Sequence, residues 1–120
     1  MKPIKLMSIL SLLGLFACGS GYNNLSTEEF AKAIAAGEMA VVDVRTPDEY
    51  AAGHLHGASN CDWFATDFLS KMEAAYPKGT QIAVYCRSGK RSMVASNFLI
   101  ENGYEKVFNV VGGFLAFPKQ

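Results

Sequence analysis

The chain has 120 residues, with 11 Lys and Arg against 11 Asp and Glu, and half of its residues are hydrophobic. That length accommodates one small domain. The zero net charge leaves no basic footprint for nucleic acid.

Part of the apolar content belongs to the first segment and not to a folded core. Lys2 and Lys5 make a positive start, Leu6 to Ala17 is almost entirely apolar, and the run stops at Cys18, Gly19, Ser20 and Gly21. This is the pattern of a signal peptide. The stretch falls short of the roughly 20 residues that span a bilayer, which argues against a permanent transmembrane helix. Leu15, Phe16, Ala17 and Cys18 resemble the lipobox of bacterial lipoproteins. That resemblance implies cleavage before Cys18, a lipid on its sulfur, and a protein anchored to the membrane of the bacterial cell envelope, facing the periplasm or the outside. The chain then divides into a signal peptide (1–17), a lipidated N-terminus and tether (18–24), and one domain (25–120). Without residues 1–17 the balance becomes nine basic against eleven acidic side chains.

The domain opens with a helix start. Ser26 and Glu29 fit a capping box, Leu25 and Phe30 a hydrophobic staple, and the helix is predicted over 27–36 before Gly37. Ala40 to Val44 is a continuous apolar run around Asp43, which reads as a strand buried on both faces and argues for a parallel sheet. Thr46, Pro47 and Glu49 then supply N-cap, N1 and N3 of a short helix ending at Gly53. Asp43 needs a partner, for which Arg45 and nearby backbone donors are the candidates, and both residues are read as structural support.

Gly53 to Ala58 is a compact turn. Its two histidines, His54 and His56, have no further Cys, His or acidic residues at metal-ligand spacing, so no metal is expected. Ser59 to Cys61 reads as a brief strand and Cys61 as an ordinary buried thiol. Asp62 is predicted to cap a helix with Phe64, Phe68, Leu69 and Met72 on one face, Trp63 being the aromatic nearest a pocket mouth. Val94, Ala95, Phe98 and Leu99 give the buried face of a later helix that stops at Asn102 and Gly103. Lys106 to Val111 is the last strand, and Gly112 and Gly113 turn the chain. Strands alternating with helices in this way define an α/β fold with a parallel sheet and right-handed crossovers.

The central stretch is Ile82 to Ser92. An apolar strand, Ile82 to Tyr85, delivers Cys86 into a short loop, and helix-compatible sequence follows from Ser92. Ligands in open α/β sheets bind beyond the carboxyl ends of strands, where the amides opening the next helix meet anions. A thiol at that point, with Arg87, Lys90 and Arg91 around it, is favoured as thiolate. Cys86 is therefore the candidate nucleophile, with Arg87, Ser88, Gly89, Lys90 and Arg91 as the anion-binding loop.

Three segments in order, Asp43 to Ala58 (DVRTPDEYAAGHLHGA), Cys86 to Ser92 (CRSGKRS) and Gly103 to Gly113 (GYEKVFNVVGG), resemble the rhodanese family of sulfurtransferases. The resemblance spans residues 24 to 117 and implies a five-stranded parallel sheet with helices on both faces. It also implies that Cys86 accepts a sulfane sulfur from a small anionic donor such as thiosulfate, forms a persulfide, and passes the sulfur to a thiol or cyanide-like acceptor, without a cofactor. The sequence departs from the family at His56, where proline is usual, and at Cys61 and Asp62, where an aliphatic residue and proline are usual. Two other readings are a non-catalytic sulfur carrier or binding module, and a thiol-disulfide protein using Cys61 with Cys86, although no C-x-x-C motif is present. Tyrosine phosphatases also place a cysteine before a helix, but their C-x5-R motif puts arginine where this chain has Ser92. The loop is therefore expected to suit sulfur better than a tetrahedral oxyanion.

Overall fold

The computed structural model describes residues 21–118. Cys18 and the signal-peptide reading lie outside that range. The strands β1 (Asn23–Leu25), β2 (Ala40–Asp43), β3 (Ser59–Asn60), β4 (Gln81–Tyr85) and β5 (Lys106–Val110) form one five-stranded sheet in the order β1-β5-β4-β2-β3. Every neighbouring pair is parallel. Between them run α1 (Thr27–Ala35), α2 (Pro47–Ala52), α3 (Phe68–Ala75) and α4 (Lys90–Glu101), and a 3-10 helix (Gly113–Ala116) closes the fold.

The alternation of side chains along the strands builds two cores, one on each face of the sheet. Val42, Val44, Ile82, Val84 and Val107 pack with Phe68 and Met72 of α3 and with Ala95 and Leu99 of α4. Val41, Ala83, Tyr85 and Val110 pack on the other side with Phe30 of α1, with Leu55 and Ala58, and with half-buried Tyr50 of α2. Cys86 continues the alternation of β4 and faces the α3/α4 core.

Both predicted capping boxes are present. The Ser26 hydroxyl accepts from the Glu29 amide (3.1 Å) while the Glu29 carboxylate accepts from the Ser26 amide (2.8 Å). Thr46 and Glu49 repeat the arrangement at 3.3 and 3.0 Å, with Pro47 at the first helical position. Each box satisfies two amides that would otherwise lack partners.

Four expectations are corrected. Residues 23 and 24 are not tether, because Asn23–Leu25 pairs with Phe108–Val110 as the edge strand. The third helix begins at Phe68 and not after Asp62; the Asp62 carboxylate caps a turn, accepting from the Phe64 amide at 2.9 Å. Phe64 consequently stands exposed, whereas Trp63 packs edge-on against Phe68 and Phe98, with centroids 5.1 and 5.3 Å apart. On α4, which begins at Lys90, the buried stripe is Ser92, Ala95, Ser96 and Leu99, and Val94 is exposed. That stripe follows the i, i+3, i+4, i+7 spacing of a helix face, and its small members let the helix lie close on the sheet.

Asp43 is fully buried at the end of β2. Its carboxylate accepts from the Arg45 amide (2.9 Å), from Arg45 Nη2 (2.7 Å) and from the Tyr85 hydroxyl (2.7 Å). Arg45 Nη2 also donates to the Gly53 carbonyl at 2.7 Å, and the Leu55 amide donates to the Tyr85 oxygen at 3.0 Å. Removing one member of a buried charge pair leaves the other uncompensated, at a cost of about 3–5 kcal/mol. Asp43→Asn is expected to lose stability on that scale in urea unfolding, whereas Tyr85→Phe, which removes the hydrogen bond to the Asp43 carboxylate and also leaves the buried Leu55 amide without its acceptor, is expected to lose at least about 1.5–3 kcal/mol. Equal stability of Asp43→Asn and the parent chain would count against this role of the pair.

Candidate active site

Cys86 is the first residue beyond β4, and its side chain is 1% exposed. Arg87, Ser88 and Gly89 curl the chain so that the amides of Gly89 and Ser92 point at Cys86 Sγ, at 3.1 and 3.4 Å. Gly89 takes the left-handed conformation (φ +112°) that this curl requires. Burial of the thiol opposes ionisation. Hydrogen bonds from the hydroxyl and amide of Ser92 and from the amides of Gly89 and Ser88 outweigh it and hold Cys86 below the ordinary thiol range. The amides are the fixed donors, because the single Ser92 hydroxyl proton has two other acceptors at hand, Asn109 Oδ1 (2.6 Å) and the Gly89 carbonyl (3.1 Å). Asn109 is itself anchored to Asn24 on β1 by its amide nitrogen, at 3.1 Å.

The loop is clamped from behind. The Phe114 and Leu115 amides of the 3-10 helix donate to the Cys86 and Arg87 carbonyls at 2.8 and 3.1 Å. Gly113 makes this approach possible: a Cβ there would lie 2.5 Å from the Cys86 carbonyl oxygen and 2.6 Å from that of Arg87. Its backbone is also left-handed, at φ +59°. No other residue type fits that position without displacing the loop.

The loop cations do not act as one cluster. Arg91 is half-buried and donates through both guanidinium nitrogens to Glu49, at 2.7 and 3.0 Å. Its guanidinium also lies 5.7 Å from the Phe64 ring. Arg87 and Lys90 are exposed, and neither forms an ion pair among the described residues. Arg87 lines a cleft of about 280 Å³ with Arg45, Glu49, Phe114 and Leu115. Lys90 lines another of about 530 Å³ with Asn24, Ser88, Met93, Asn109 and Val111.

The remaining candidates lie elsewhere. Cys61 is half-buried, its sulfur 3.7 Å from the Phe68 carbonyl, and burial pushes its thiol up, away from the thiolate. Cys61 and Cys86 are both free thiols. His54 stacks on Tyr50 at 3.7 Å, and exposed His56 borders an apolar groove with Phe30, Ile34, Leu55 and Phe117. Among the described residues no group of three His, Cys, Asp or Glu side chains converges to hold a metal.

Sequence reasoning missed Ser92, Asn109, Glu49 as the partner of Arg91, and the close approach of Gly113. Asn109, a polar residue inside the apolar run of the last strand, was the one legible signal. Glu49 lies 42 positions from Arg91, so nothing local announces the pair.

A parallel α/β domain whose second-from-edge pair of strands flanks a central strand ending in an amide-cradled thiol defines the class. The chain belongs to the family described as "Rhodanese-like domain", which it matches over residues 26–120. It is 32% identical to a protein named sulfurtransferase from Allochromatium vinosum, over 81% of this chain and 89% of that one. It is 34% identical to the thiosulfate sulfurtransferase GlpE of Pseudomonas entomophila, over 79% of this chain and 84% of the relative. Among solved structures, a rhodanese-like domain protein from Staphylococcus aureus superimposes with a TM-score of 0.71 at 25% identity, covering 82% of this chain and 93% of that chain.

The Glu49–Arg91 pair makes acid stability readable. The Arg91 guanidinium holds the Glu49 carboxyl down at about 2, from an ordinary value of 4.5. The unfolded chain therefore binds that proton first, and the contribution of Glu49 is complete above about pH 4.5 and disappears as pH falls toward 2. Glu49→Gln is expected to flatten this part of the pH dependence, measured by urea unfolding between pH 5 and pH 3. An unchanged slope would show that the pair contributes nothing to it.

Proposed function

We propose that the domain is a sulfurtransferase that takes a sulfane sulfur from an anionic donor such as thiosulfate onto Cys86 and passes it to a thiophilic acceptor. The observation that carries this reading is the cradle of loop amides around a buried Cys86 sulfur whose ionisation they favour. The Cys86 thiolate attacks the outer sulfur of thiosulfate, the S–S bond of the donor breaks, and sulfite leaves with the electron pair. Loop amides stabilise the anionic persulfide that remains, and Arg87 and Lys90 attract the donor from the surface.

Cys86→Ser is expected to lower sulfur transfer by on the order of a thousandfold or more while the fold survives. In the parent chain, mass spectrometry after thiosulfate treatment should find one added sulfur on the Cys86 peptide, with negligible phosphate release from an aryl phosphate. Because the cradle lowers the thiol pKa, persulfide formation should rise with pH and reach its midpoint at a lower pH than an ordinary thiol would. Full activity in Cys86→Ser, or efficient phosphate release without persulfide, would overturn the reading.

Residues 1–17 and Cys18 belong to the same proposal as its address: a signal peptide removed before a lipidated cysteine that tethers the domain to the cell envelope. Mass spectrometry of the native N-terminus decides this part. The expected species begins at Cys18 with a diacylglyceryl mass, and an unmodified cytosolic chain beginning at Met1 would refute it.

A further inference from the structure

All five large apolar side chains that stand exposed among the described residues, Phe64, Met93, Val94, Val111 and Leu115, lie at one end of the molecule. Phe64 follows β3, Val111 follows β5, Leu115 sits in the 3-10 helix, and Met93 and Val94 belong to the first turns of α4. That end is the carboxyl edge of the parallel sheet, where β4 hands the chain to Cys86. Contacts tie four of them to the loop itself. Phe64 lies over the Arg91 guanidinium. Met93 and Val111 share a cleft with Ser88, Gly89 and Lys90, and Leu115 shares the other with Arg87. Exposed apolar residues scattered singly carry no message, but a set gathered around one site marks an interaction surface.

Among the described residues, the unpaired charges on the Cys86 loop itself are positive. Arg87 and Lys90 are exposed and free of ion pairs, whereas the acid beside them, Glu49, is neutralised by Arg91. We infer that the ring is the docking surface for a sulfur acceptor that is itself a protein, one that presents its thiol on a projecting loop flanked by apolar and acidic side chains. The inference rests on the proposed sulfur transfer through Cys86 and names its acceptor. A small free thiol cannot touch Phe64 on one side of the loop and Val111 on the other, so it draws nothing from the ring. A bilayer laid on the ring would cover the loop that a water-borne anionic donor has to enter. A protein can reach all of these residues, leave between two turnovers, and bring acids to Arg87 and Lys90.

In the transfer step the partner's thiolate attacks the terminal sulfur of the Cys86 persulfide. The S–S bond at Cys86 breaks and returns its electron pair to the Cys86 thiolate, while the new S–S bond makes the partner the persulfide. No oxidant is consumed, and the proton of the partner's thiol goes to solvent. Arg87 and Lys90 offset the repulsion between two approaching anions.

The test uses two peptides with a central cysteine flanked by leucines, one with outer glutamates and one with outer lysines, beside free cysteine. Fluorescent forms with serine for cysteine are titrated onto the mature protein and followed by anisotropy, a measurement that does not need the persulfide. The glutamate peptide is expected to bind saturably, at least fivefold tighter than the lysine peptide, to weaken with salt, and to lose at least fivefold in Phe64→Ser and in Val111→Ser. In single-turnover transfer from the counted persulfide, it should react at least tenfold faster than free cysteine, with those variants slowing the peptide and sparing free cysteine. Absence of saturable binding, or equal rates for peptide and free cysteine, overturns the inference. So does sedimentation with phosphatidylglycerol vesicles that Phe64→Ser abolishes, which would assign the ring to a membrane. Failure to form any persulfide with saturable binding intact counts against the proposed transfer and not against the docking surface.

Discussion

The buried pair of Asp43 and Arg45 is the interaction on which the site depends, because it joins the sheet, the turn after α2 and the loop of Cys86. Asp43 accepts from Tyr85, the residue before Cys86. Arg45 reaches the Gly53 carbonyl and stacks its guanidinium 4.4 Å from the centre of the Phe114 ring. The Phe114 amide in turn holds the Cys86 carbonyl. A continuous series of contacts thus runs from a desolvated charge pair to the backbone of the candidate nucleophile. Such pairs are weak evidence for stability, since hydrophobic replacements often do as well. Here the pair satisfies its charges only in one arrangement of four chain segments, and that arrangement fixes where the loop begins. Burial pushes the Tyr85 phenol well above its ordinary range, so the hydroxyl remains a donor to Asp43 at any working pH.

Amides and cations divide the work around Cys86. Amides belong to the backbone, are held by the 3-10 helix and by α4, and need no reorganisation when charge appears on sulfur. Arg87 and Lys90 are solvated and act at longer range, so their pull on an anion weakens as salt shortens the Debye length from about 10 Å at 0.1 M. Arg91 belongs to neither group. Its charge favours the Cys86 thiolate, and the thiolate favours it, but its hydrogen bonds are spent on Glu49. Counting three cations in the sequence therefore overstates the positive field that an incoming donor would meet.

What the sequence made legible was local. Ser26 with Glu29 and Thr46 with Glu49 announce helix starts because both partners lie within one turn, and the apolar runs around Val42 and Val84 announce strands buried on both sides. Asp43 with Arg45 could be paired for the same reason, two positions apart in an otherwise apolar run. Long-range facts were not legible. Tyr85 reads as one more apolar residue until its hydroxyl is placed beside a carboxylate 42 positions away. Trp63 and Phe64 exchange roles because Asp62 caps a turn and not a helix, which delays α3 to Phe68 and turns Phe64 outward. The strand Asn23–Leu25 is short, polar in its first two residues, and recruited only because β5 offers it an edge.

The closeness of Gly113 to the loop bears on what the cradle can hold. With carbonyls of Cys86 and Arg87 pinned from behind, the loop cannot widen by backing away from its contents. Two of its amides already point at the sulfur of Cys86 and not at an empty centre. A tetrahedral oxyanion bonded to Cys86 would need several amides for its own oxygens, and these two would have to turn away from sulfur to serve it. A second sulfur on Cys86 makes a smaller demand, since it extends the same anion by one atom toward the opening of the loop. A helix leaves its first amides without intrahelical partners, and in α4 that of Ser92 already points at this sulfur. The same restriction that disfavours a bulky adduct thus leaves room for the one adduct the proposed chemistry requires.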